Sequence, residues 1–271
     1  MLDVRKSLRE ARANGFAIGA FNTNNLEVTK AICRAAAKFD RPILIQTTPS
    51  AIEYAGLNSI FDIVRDEIES SKIKAAIHLD HAKDFKIIKE AVEAGYKSIM
   101  FDGSRYSFDE NVAMTVEVVQ FAHENGVCVE AEVGVIAREE GGYLSGQSIL
   151  SAPEQVKKFI ELTGVDSIAV SVGNEHGAPK GEKINLPLLQ KIADIIEIPL
   201  VMHGASGLSS GDIREAISIG VSKFNIDTKI KHAFASEIEG SKAEDYRDAL
   251  KEGMEEVEKV VAHYIKIFNN L

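Results

Sequence analysis

Apolar and polar positions alternate in blocks along nearly the whole chain, and the blocks follow two different periods. Eight short apolar runs, bounded by polar residues or glycine, have the length of buried strands. They cover residues 16–22, 42–48, 74–80, 98–104, 127–134, 166–173, 199–206 and 223–228. Longer segments between them repeat apolar residues at helical spacing, and several end in glycine. Strands that are apolar on both faces and alternate with helices predict a parallel sheet covered by helices.

The number of strand–helix units favours a closed form of that sheet. Eight units in 271 residues are typical of one (β/α)8 barrel, which usually takes about 250 residues. No GxGxxG motif follows the first strand, which disfavours a dinucleotide-binding open sheet. We predict an α/β protein, a single (β/α)8 TIM barrel domain over residues 1–271, with an extended C-terminal helical region at 243–268.

One connection departs from this regular pattern. Residues 135–152 are polar, rich in glycine and long. Loops of this length in a compact domain are usually functional or disordered. We interpret the segment as a mobile active-site lid rather than a passive insertion.

Charge and cysteine content restrict the partners and the compartment. The formal net charge of -10 excludes general affinity for nucleic acid or an anionic membrane, although a local phosphate site stays open. Cys33 and Cys128 form no CxxC motif and are predicted to be core thiols in a reducing compartment. No run approaches the roughly 18 apolar residues of a membrane span, so we expect a cytoplasmic protein.

Reactive side chains collect at the predicted C-terminal ends of the strands, where such barrels form their active sites. His81, His176 and His203 follow three different strands. Three imidazoles with an open fourth position are a ligand set of catalytic Zn²⁺. A single histidine there would indicate a hydrogen-bonding role, whereas three at matched ends predict a zinc site. His78 is interpreted as a core histidine.

Carboxylates accompany the histidines. Asp80 adjoins His81, where it can transfer a proton or cap the following helix, and position alone leaves both roles open. Asp102 and Glu132 are predicted to orient the histidines or to serve as an alternate metal position. Glu130 lies lower on the same strand face as Glu132. A role beside the histidines and a buried structural pairing are equally open for Glu130.

A phosphate site is predicted beside the histidines. The segment HGASGLSSGDI combines small residues with a helix start, and such backbone N–H groups hold anions. Residues 225–228 add donors from the next loop, and loops after the seventh and eighth strands often bind phosphate in barrels. Lys180 is interpreted as a further phosphate or substrate contact.

Taken in order, these motifs closely resemble the class II, zinc-dependent fructose-bisphosphate/tagatose-bisphosphate aldolase family over nearly the full length. The matching stretches are AFNTNNLEVTKAI, HLDHAKDF, SIMFDGS, FDENV, VEAEVG, VGNEHG, PLVMHGASGL and KFNIDT. The resemblance implies reversible cleavage of a phosphorylated ketose to dihydroxyacetone phosphate and an aldehyde such as glyceraldehyde 3-phosphate. It also implies a homodimer or homotetramer, and a monovalent cation, Na⁺ or K⁺, near the phosphate.

The resemblance also assigns roles to residues. It implies that His81, His176 and His203 bind Zn²⁺, that Asp80 is the acid/base at the C4 hydroxyl, and that Glu140 transfers a proton at C3. The positions around dihydroxyacetone phosphate are Gly177, Gly204, Ser206, Asn225, Asp227 and Thr228.

This sequence departs from the family pattern at several positions. No glycine pair precedes the acidic residues of the long loop, which leaves the choice between Glu139 and Glu140 open. Arg105 and Pro179 stand where the family often has histidine and tyrosine. Arg247 is a candidate for the distal phosphate, and equally a solvated helix charge.

Four alternatives compete with this hypothesis. One is a class II aldolase for a different ketose phosphate, another is a zinc hydrolase, and a third is a noncatalytic metal-binding barrel acting as a sensor or interaction module. The fourth, a Schiff-base aldolase, needs a lysine at a strand's C-terminal end. Lys74 and Lys223 begin their strands, which disfavours that chemistry.

Overall fold

The computed structural model describes residues 2–136, 138–140, 143–145, 148–177 and 183–271, and for 138–140 and 143–145 it describes the backbone only. Ten strands are present in these ranges: β1 Ile18–Asn22, β2 Ile43–Thr47, β3 Ala75–Ala82, β4 Ser98–Phe101, β5 Cys128–Val133, β6 Arg138–Glu140, β7 Tyr143–Ser145, β8 Ser167–Val170, β9 Leu200–Met202 and β10 Val221–Ile226. Eight of them close into a parallel barrel in the order β1-β10-β9-β8-β5-β4-β3-β2. The predicted (β/α)8 barrel is therefore confirmed.

Helices surround the barrel and cover the outer faces of its strands. They are α1 Val4–Asn14, α2 Leu26–Ala37, α3 Pro49–Ala55, α4 Leu57–Ser71, α5 Phe85–Ala94, α6 Phe108–Glu124, α7 Pro153–Thr163, α8 Leu186–Ala193, the 3-10 turn η1 Ala205–Gly207, α9 Ser210–Ile219, α10 Thr228–Gly240 and α11 Tyr246–Phe268. None of the helices in the described ranges has both the length and the apolar character needed to cross a membrane.

The N-terminal helix α1 was not anticipated. Its apolar residues Val4, Leu8 and Ala11 pack inside a small cluster with strand residues including Leu44 and Ala76. The remaining positions are mostly charged or polar, and this density of charge hid the helical repeat. A helix this short takes its stability from the face it buries, here against the interior residues of the barrel strands.

The C-terminal helical region is present, and α11 runs along α2 and packs onto β1. Phe268 near its end stacks on Phe224 of β10, with ring centroids 5.0 Å apart. Tyr264 also contacts Phe268. These rings bury the seam where the first and last barrel strands pair, and so help to hold the barrel closed.

The long segment after β5 contains regular structure. Strands β6 and β7 pair antiparallel, with Arg138 opposite Ser145 and Glu140 opposite Tyr143. Val135 and Ile149 exchange two backbone hydrogen bonds of 2.9 Å at its base. The predicted loop is thus a short hairpin over its described residues, anchored near the C-terminal end of β5. Its role as a lid stays a prediction.

Candidate active site

The three histidines meet at the C-terminal end of the barrel. His81 lies in β3, His176 follows β8 and His203 follows β9. One ring nitrogen from each can be chosen so that all three lie within 4.8 Å of one another. His81 and His203 are buried, and their ring centroids are 4.6 Å apart. Strands that are distant in sequence therefore bring together a donor set that can hold a metal ion.

An irregularity in β3 delivers two neighbouring side chains to this site. In a regular strand Asp80 and His81 would point to opposite faces. His81 instead has a left-handed backbone, with φ 52°, and the β3–β4 register shifts between Leu79 and Ala82. Both Asp80 and His81 consequently line the same cavity. Left-handed backbone in a non-glycine residue costs free energy and is concentrated at functional sites.

Carboxylates fix the orientation of two of the rings. Nδ1 of His81 is 3.1 Å from Oδ2 of Asp102, and Nε2 of His203 is 2.8 Å from Oε1 of Glu130. An ionised carboxylate only accepts hydrogen bonds, so each ring carries its proton on that side and presents its other nitrogen to the cluster. Metal-binding histidines are oriented in this way in proteins. The predicted orienting role of Asp102 agrees with this geometry.

The donor set fits a metal ion. Nδ1 of His203 is buried and makes no hydrogen bond, although Oε2 of Glu132 lies 3.5 Å from it. Burial lowers the pKa of His203, with repulsion from His81 acting in the same direction, so the ring offers a neutral nitrogen. Neutral imidazole nitrogens are the ligands that zinc accepts. Glu132 thus lies beside this nitrogen, and its role as an alternate metal position stays a prediction.

Asp80 is held between two amide side chains. Nδ2 of Asn225 donates to its Oδ1 at 3.0 Å, and Nε2 of Gln46 donates to its Oδ2 at 3.2 Å. Burial by itself raises the pKa of Asp80, but the attraction of His81, His203 and Lys223 outweighs it and lowers the pKa to about 2. The carboxylate is thus ionised at neutral pH. The helix-capping alternative is wrong, because Asp84 caps α5.

A buried polar layer lies beneath the histidines. Nζ of Lys223 donates to Oε2 of Glu130 at 2.8 Å and lies 3.5 Å from Nε2 of His78. The other His78 nitrogen contacts Oγ of Ser98 at 2.7 Å. Burial and then Lys223 lower the pKa of His78 to about 3, so this ring is neutral, and its predicted core role agrees with these contacts.

Sequence reasoning missed the reach of Lys223. The residue begins its predicted strand, which is the end of the strand opposite to the site. The structure corrects this omission, because Lys223 is fully buried and its long side chain reaches the carboxylate that holds His203. Glu130, for which the sequence left a buried structural pairing open, is the residue that contacts both Lys223 and His203. The only sequence signal was a lysine inside an apolar strand, since a buried lysine requires a partner.

An open cavity of about 920 Å³ lies above the cluster. It is lined by Asp80, two of the histidines, and five of the predicted substrate-binding residues: Gly177, Gly204, Asn225, Asp227 and Thr228. Burial raises the pKa of Asp227, and its partner Lys231, 2.6 Å away, acts against that shift. Ser206 is not among the lining residues; it is buried, and its carbonyl accepts a hydrogen bond from Tyr264.

Gly204 makes one wall of this cavity possible. It has φ 68°, and a Cβ at this position would overlap the backbone carbonyl of Glu175, whose carbon would be only 2.6 Å away. The same Cβ would be 3.2 Å from the backbone nitrogen of His176. The loop that carries His176 therefore packs directly on the glycine that follows His203.

A second cavity, of about 460 Å³, lies beside the first and shares His81 and His176 with it. Arg105, Asp102 and Glu132 are among its lining residues. Arg105, which stands where the family often has histidine, thus lies near the cluster.

Other predicted residues are placed differently. Lys180 and Pro179 lie outside the described residues. Glu139 and Glu140 are described only as backbone of β6. Arg247 has a side chain that is 76% exposed and pairs with Asp245 at the start of α11, as the solvated-charge interpretation expects.

Fold and site together define the class of the protein, a (β/α)8 barrel with a histidine cluster able to hold a metal ion at the C-terminal ends of its strands. Comparison with known proteins narrows this class. The model of the family "Fructose-bisphosphate aldolase class-II" matches residues 2–271. This chain belongs to that family, which confirms the resemblance drawn from its motifs, and it is an aldolase, a lyase of carbohydrate metabolism.

Individual relatives match this chain over nearly their whole lengths. The fructose-bisphosphate aldolase of Streptococcus pyogenes serotype M3 is 40% identical over 290 aligned residues, covering 100% of this chain and 98% of that protein. A putative fructose-1,6-biphosphate aldolase from Coccidioides immitis superposes with a TM-score of 0.90 at 29% identity, covering 98% and 96% of the two chains. The YdjI aldolase from Escherichia coli K12 gives 0.88 at 29% identity, covering 99% and 97%.

Proposed function

We propose that this protein is a zinc-dependent aldolase that reversibly cleaves a phosphorylated ketose, of the fructose- or tagatose-1,6-bisphosphate type, to dihydroxyacetone phosphate and an aldehyde such as glyceraldehyde 3-phosphate. The observation that carries the proposal is the meeting of three imidazole nitrogens within 4.8 Å beside an ionised Asp80, at the wall of an open cavity. Residues 1–271 act as a single barrel domain, working in the cytoplasm as a homodimer or homotetramer.

The metal in this proposal is Zn²⁺, held by His81, His176 and His203. When bound, it supplies Lewis-acid polarisation of the substrate's carbonyl and hydroxyl oxygens. The support is the donor set itself, since two of the rings are oriented by carboxylates and His203 presents a buried Nδ1 that makes no hydrogen bond. Asp102 and Glu132 hold the histidines or serve as an alternate metal position.

Asp80 is the acid/base residue of the cleavage. It accepts the proton of the C4 hydroxyl as the C3–C4 bond breaks and the aldehyde leaves, and it returns that proton during condensation. Its low pKa leaves it ionised, which is the state that accepts a proton, and the amides of Gln46 and Asn225 aim its two oxygens. General acid/base catalysis of this kind contributes about 10²–10⁴-fold in rate.

The phosphate of the dihydroxyacetone half binds at the loops after β8, β9 and β10. Gly177, Gly204, Asn225 and Thr228 line the cavity there, and α10 begins at Thr228. Backbone N–H groups at a helix N-terminus favour an anion. Ser206, Asp227 and Lys180 are the remaining substrate-binding residues of this proposal around the dihydroxyacetone phosphate half, and Na⁺ or K⁺ adds positive charge near its phosphate.

Two further assignments complete the reaction. Glu140 transfers the proton at C3, with Glu139 as the alternative. The aldehyde half lies toward Thr48, Ser50 and Lys83, which line the same cavity as Asp80.

The test is a panel of ketose mono- and bisphosphates incubated with the zinc-loaded protein, with release of dihydroxyacetone phosphate coupled to an NADH-consuming reductase. We expect release from at least one member, and an Asp80→Asn variant slowed about 10²–10⁴-fold with its zinc retained. Asp40→Asn is the matched control, because Asp40 has a side chain that is 82% exposed and pairs with Lys74 outside the site. Zinc-loaded protein with no release from any substrate would support the noncatalytic barrel instead.

A further inference from the structure

A carboxylate at the centre of the barrel joins a buried lysine to one of the histidines. Glu130 is 1% exposed, and Lys223 and His203 are fully buried. Each oxygen of Glu130 accepts one hydrogen bond of 2.8 Å, Oε1 from Nε2 of His203 and Oε2 from Nζ of Lys223. The three side chains therefore form a chain of two short, charge-assisted contacts that is buried from bulk solvent.

This chain of side-chain contacts spans the interior of the barrel. Lys223 belongs to β10 and Glu130 to β5, and strands β9 and β8 lie between them in the closed sheet. His203 follows β9. The Lys223–Glu130 contact is consequently made across the barrel, underneath the histidine cluster, and no residue of this chain of contacts lines the cavity above.

The contacts determine which nitrogen of His203 faces the cluster. Glu130, as a carboxylate, accepts a hydrogen bond from Nε2, so that Nε2 carries the proton and Nδ1 keeps its lone pair. Nδ1 is the buried atom that makes no hydrogen bond. If Glu130 turned away, the ring would lose the contact that fixes both its tautomer and its orientation.

Lys223 is what holds Glu130 in that position. A buried carboxylate needs a charged partner, and the contacts of Glu130 are made by Lys223 and His203. The ammonium fixes one oxygen and thereby aims the other at His203.

We propose that Lys223 is a positioning residue for the metal, acting on His203 through Glu130. The proposal rests on the zinc site proposed above. Neither the family assignment nor the predicted ligand set gives Lys223 a role. Loss of a group that orients a metal ligand typically weakens metal binding about 10–100-fold, and we expect that loss for Lys223→Met.

The protein contains a second ion pair, at the opposite end of the barrel, that serves as a control. Arg5, Asp166 and His123 form another cation–carboxylate–histidine group, in which Asp166 lies 2.6 Å from Nε of Arg5 and 2.9 Å from Nε2 of His123. Asp166 directly precedes β8, far from the strand ends that carry the cluster. Arg5→Met thus removes a partly exposed ion pair of the same kind, since the Arg5 side chain is 39% exposed, without touching the proposed metal site.

The experiment measures the zinc dissociation constant by chelator competition, together with thermal unfolding of the metal-free proteins. We expect Lys223→Met to bind zinc about 10–100-fold more weakly, Lys223→Arg to recover part of the loss, and Arg5→Met to bind like the unsubstituted protein. In the double variant Glu130→Gln with Lys223→Met, affinity should equal that of Glu130→Gln alone, because Lys223 acts only through Glu130. If Lys223→Met does not fold, Lys223→Arg decides the matter, because it keeps the charge but changes the geometry of the contact with Glu130 and should bind zinc more weakly than the unsubstituted protein.

Three outcomes would overturn the inference. Unchanged zinc affinity in Lys223→Met excludes a positioning role while leaving the proposed zinc site intact. An equal loss in Arg5→Met shows a general effect of stability, and additive losses in the double variant show that Lys223 acts independently of Glu130. No zinc binding by the unsubstituted protein would instead overturn the proposed function, and this inference with it.

Discussion

Replacing Gly204 with alanine tests whether the close packing of two loops positions the histidine cluster. The added Cβ would overlap the carbonyl group of Glu175, with 2.6 Å to its carbon. Ordinary contacts of a Cβ begin near 3.4 Å, and the carbonyl oxygen of Glu175 would lie closer still than its carbon, so this carbonyl group must retreat by about 1.3 Å. His176 is the next residue, and the displacement is therefore passed directly to a proposed zinc ligand.

Two effects add in Gly204→Ala. Left-handed backbone costs a residue with a side chain about 1–2 kcal/mol, and overpacking costs about 1–3 kcal/mol, which gives about 2–5 kcal/mol of lost stability. A displacement near 1 Å in a catalytic group can lower the rate about 100-fold. We expect kcat/KM to fall by that factor in protein that is still folded.

Gly164→Ala separates the two effects. Gly164 has the same φ of 68° as Gly204, but nothing lies within 4 Å of its Cβ position. Its variant should lose only the backbone contribution of about 1–2 kcal/mol and keep full activity. Urea unfolding and the coupled aldolase assay at saturating zinc measure both quantities. If kcat/KM of Gly204→Ala stays within about threefold of Gly164→Ala, the packing of the loop does not position His176 and the reasoning is refuted.

Three further predictions address the buried groups. Burial raises the pKa of Tyr96 to about 12, although the hydrogen bond with Thr47 acts in the opposite direction. The stability that comes from this pKa shift is complete below pH 10 and falls by about 3 kcal/mol as the pH rises toward 12. Tyr96→Phe should flatten that decline in urea unfolding, and an unchanged slope would contradict it. Burial raises the pKa of Cys33 to about 12, so a thiol reagent should label it only on unfolding, and rapid labelling of native protein would disprove this. Gln46→Leu removes a 3.2 Å donor to Asp80 and should slow turnover about tenfold at unchanged zinc content; full turnover would show that the amide does not aim the carboxylate.

The barrel could be predicted because its signal is periodic. Each of the eight strands is mostly apolar and is buried on both faces, and each is separated from the next by a helix-length segment, so the pattern leaves few alternatives. The histidine cluster could be predicted for the same reason, since His81, His176 and His203 all lie at or just after the C-terminal ends of strands, and these ends must meet. For these residues, the position within the strand–helix repeat predicts which side chains lie close together.

The features that could not be predicted depend on exact geometry. The left-handed backbone of His81 overrides strand alternation, and nothing in its neighbouring residue types indicates it. Lys223 and Glu130 are 93 positions apart, and their contact depends on how far a lysine reaches across the barrel. Helix α1 was hidden by its charged face. In this protein the sequence pattern therefore does not predict how far a side chain reaches or where the backbone departs from regular strand geometry.

The most direct test of the central claim is metal removal followed by titration. Protein treated with EDTA and freed of the chelator should show no release of dihydroxyacetone phosphate from its substrate. Activity should then rise in proportion to added zinc and level off at about one equivalent per chain, as one site with three histidine ligands requires. Full activity in verified metal-free protein, or no recovery with zinc in protein that remains folded, would contradict the account.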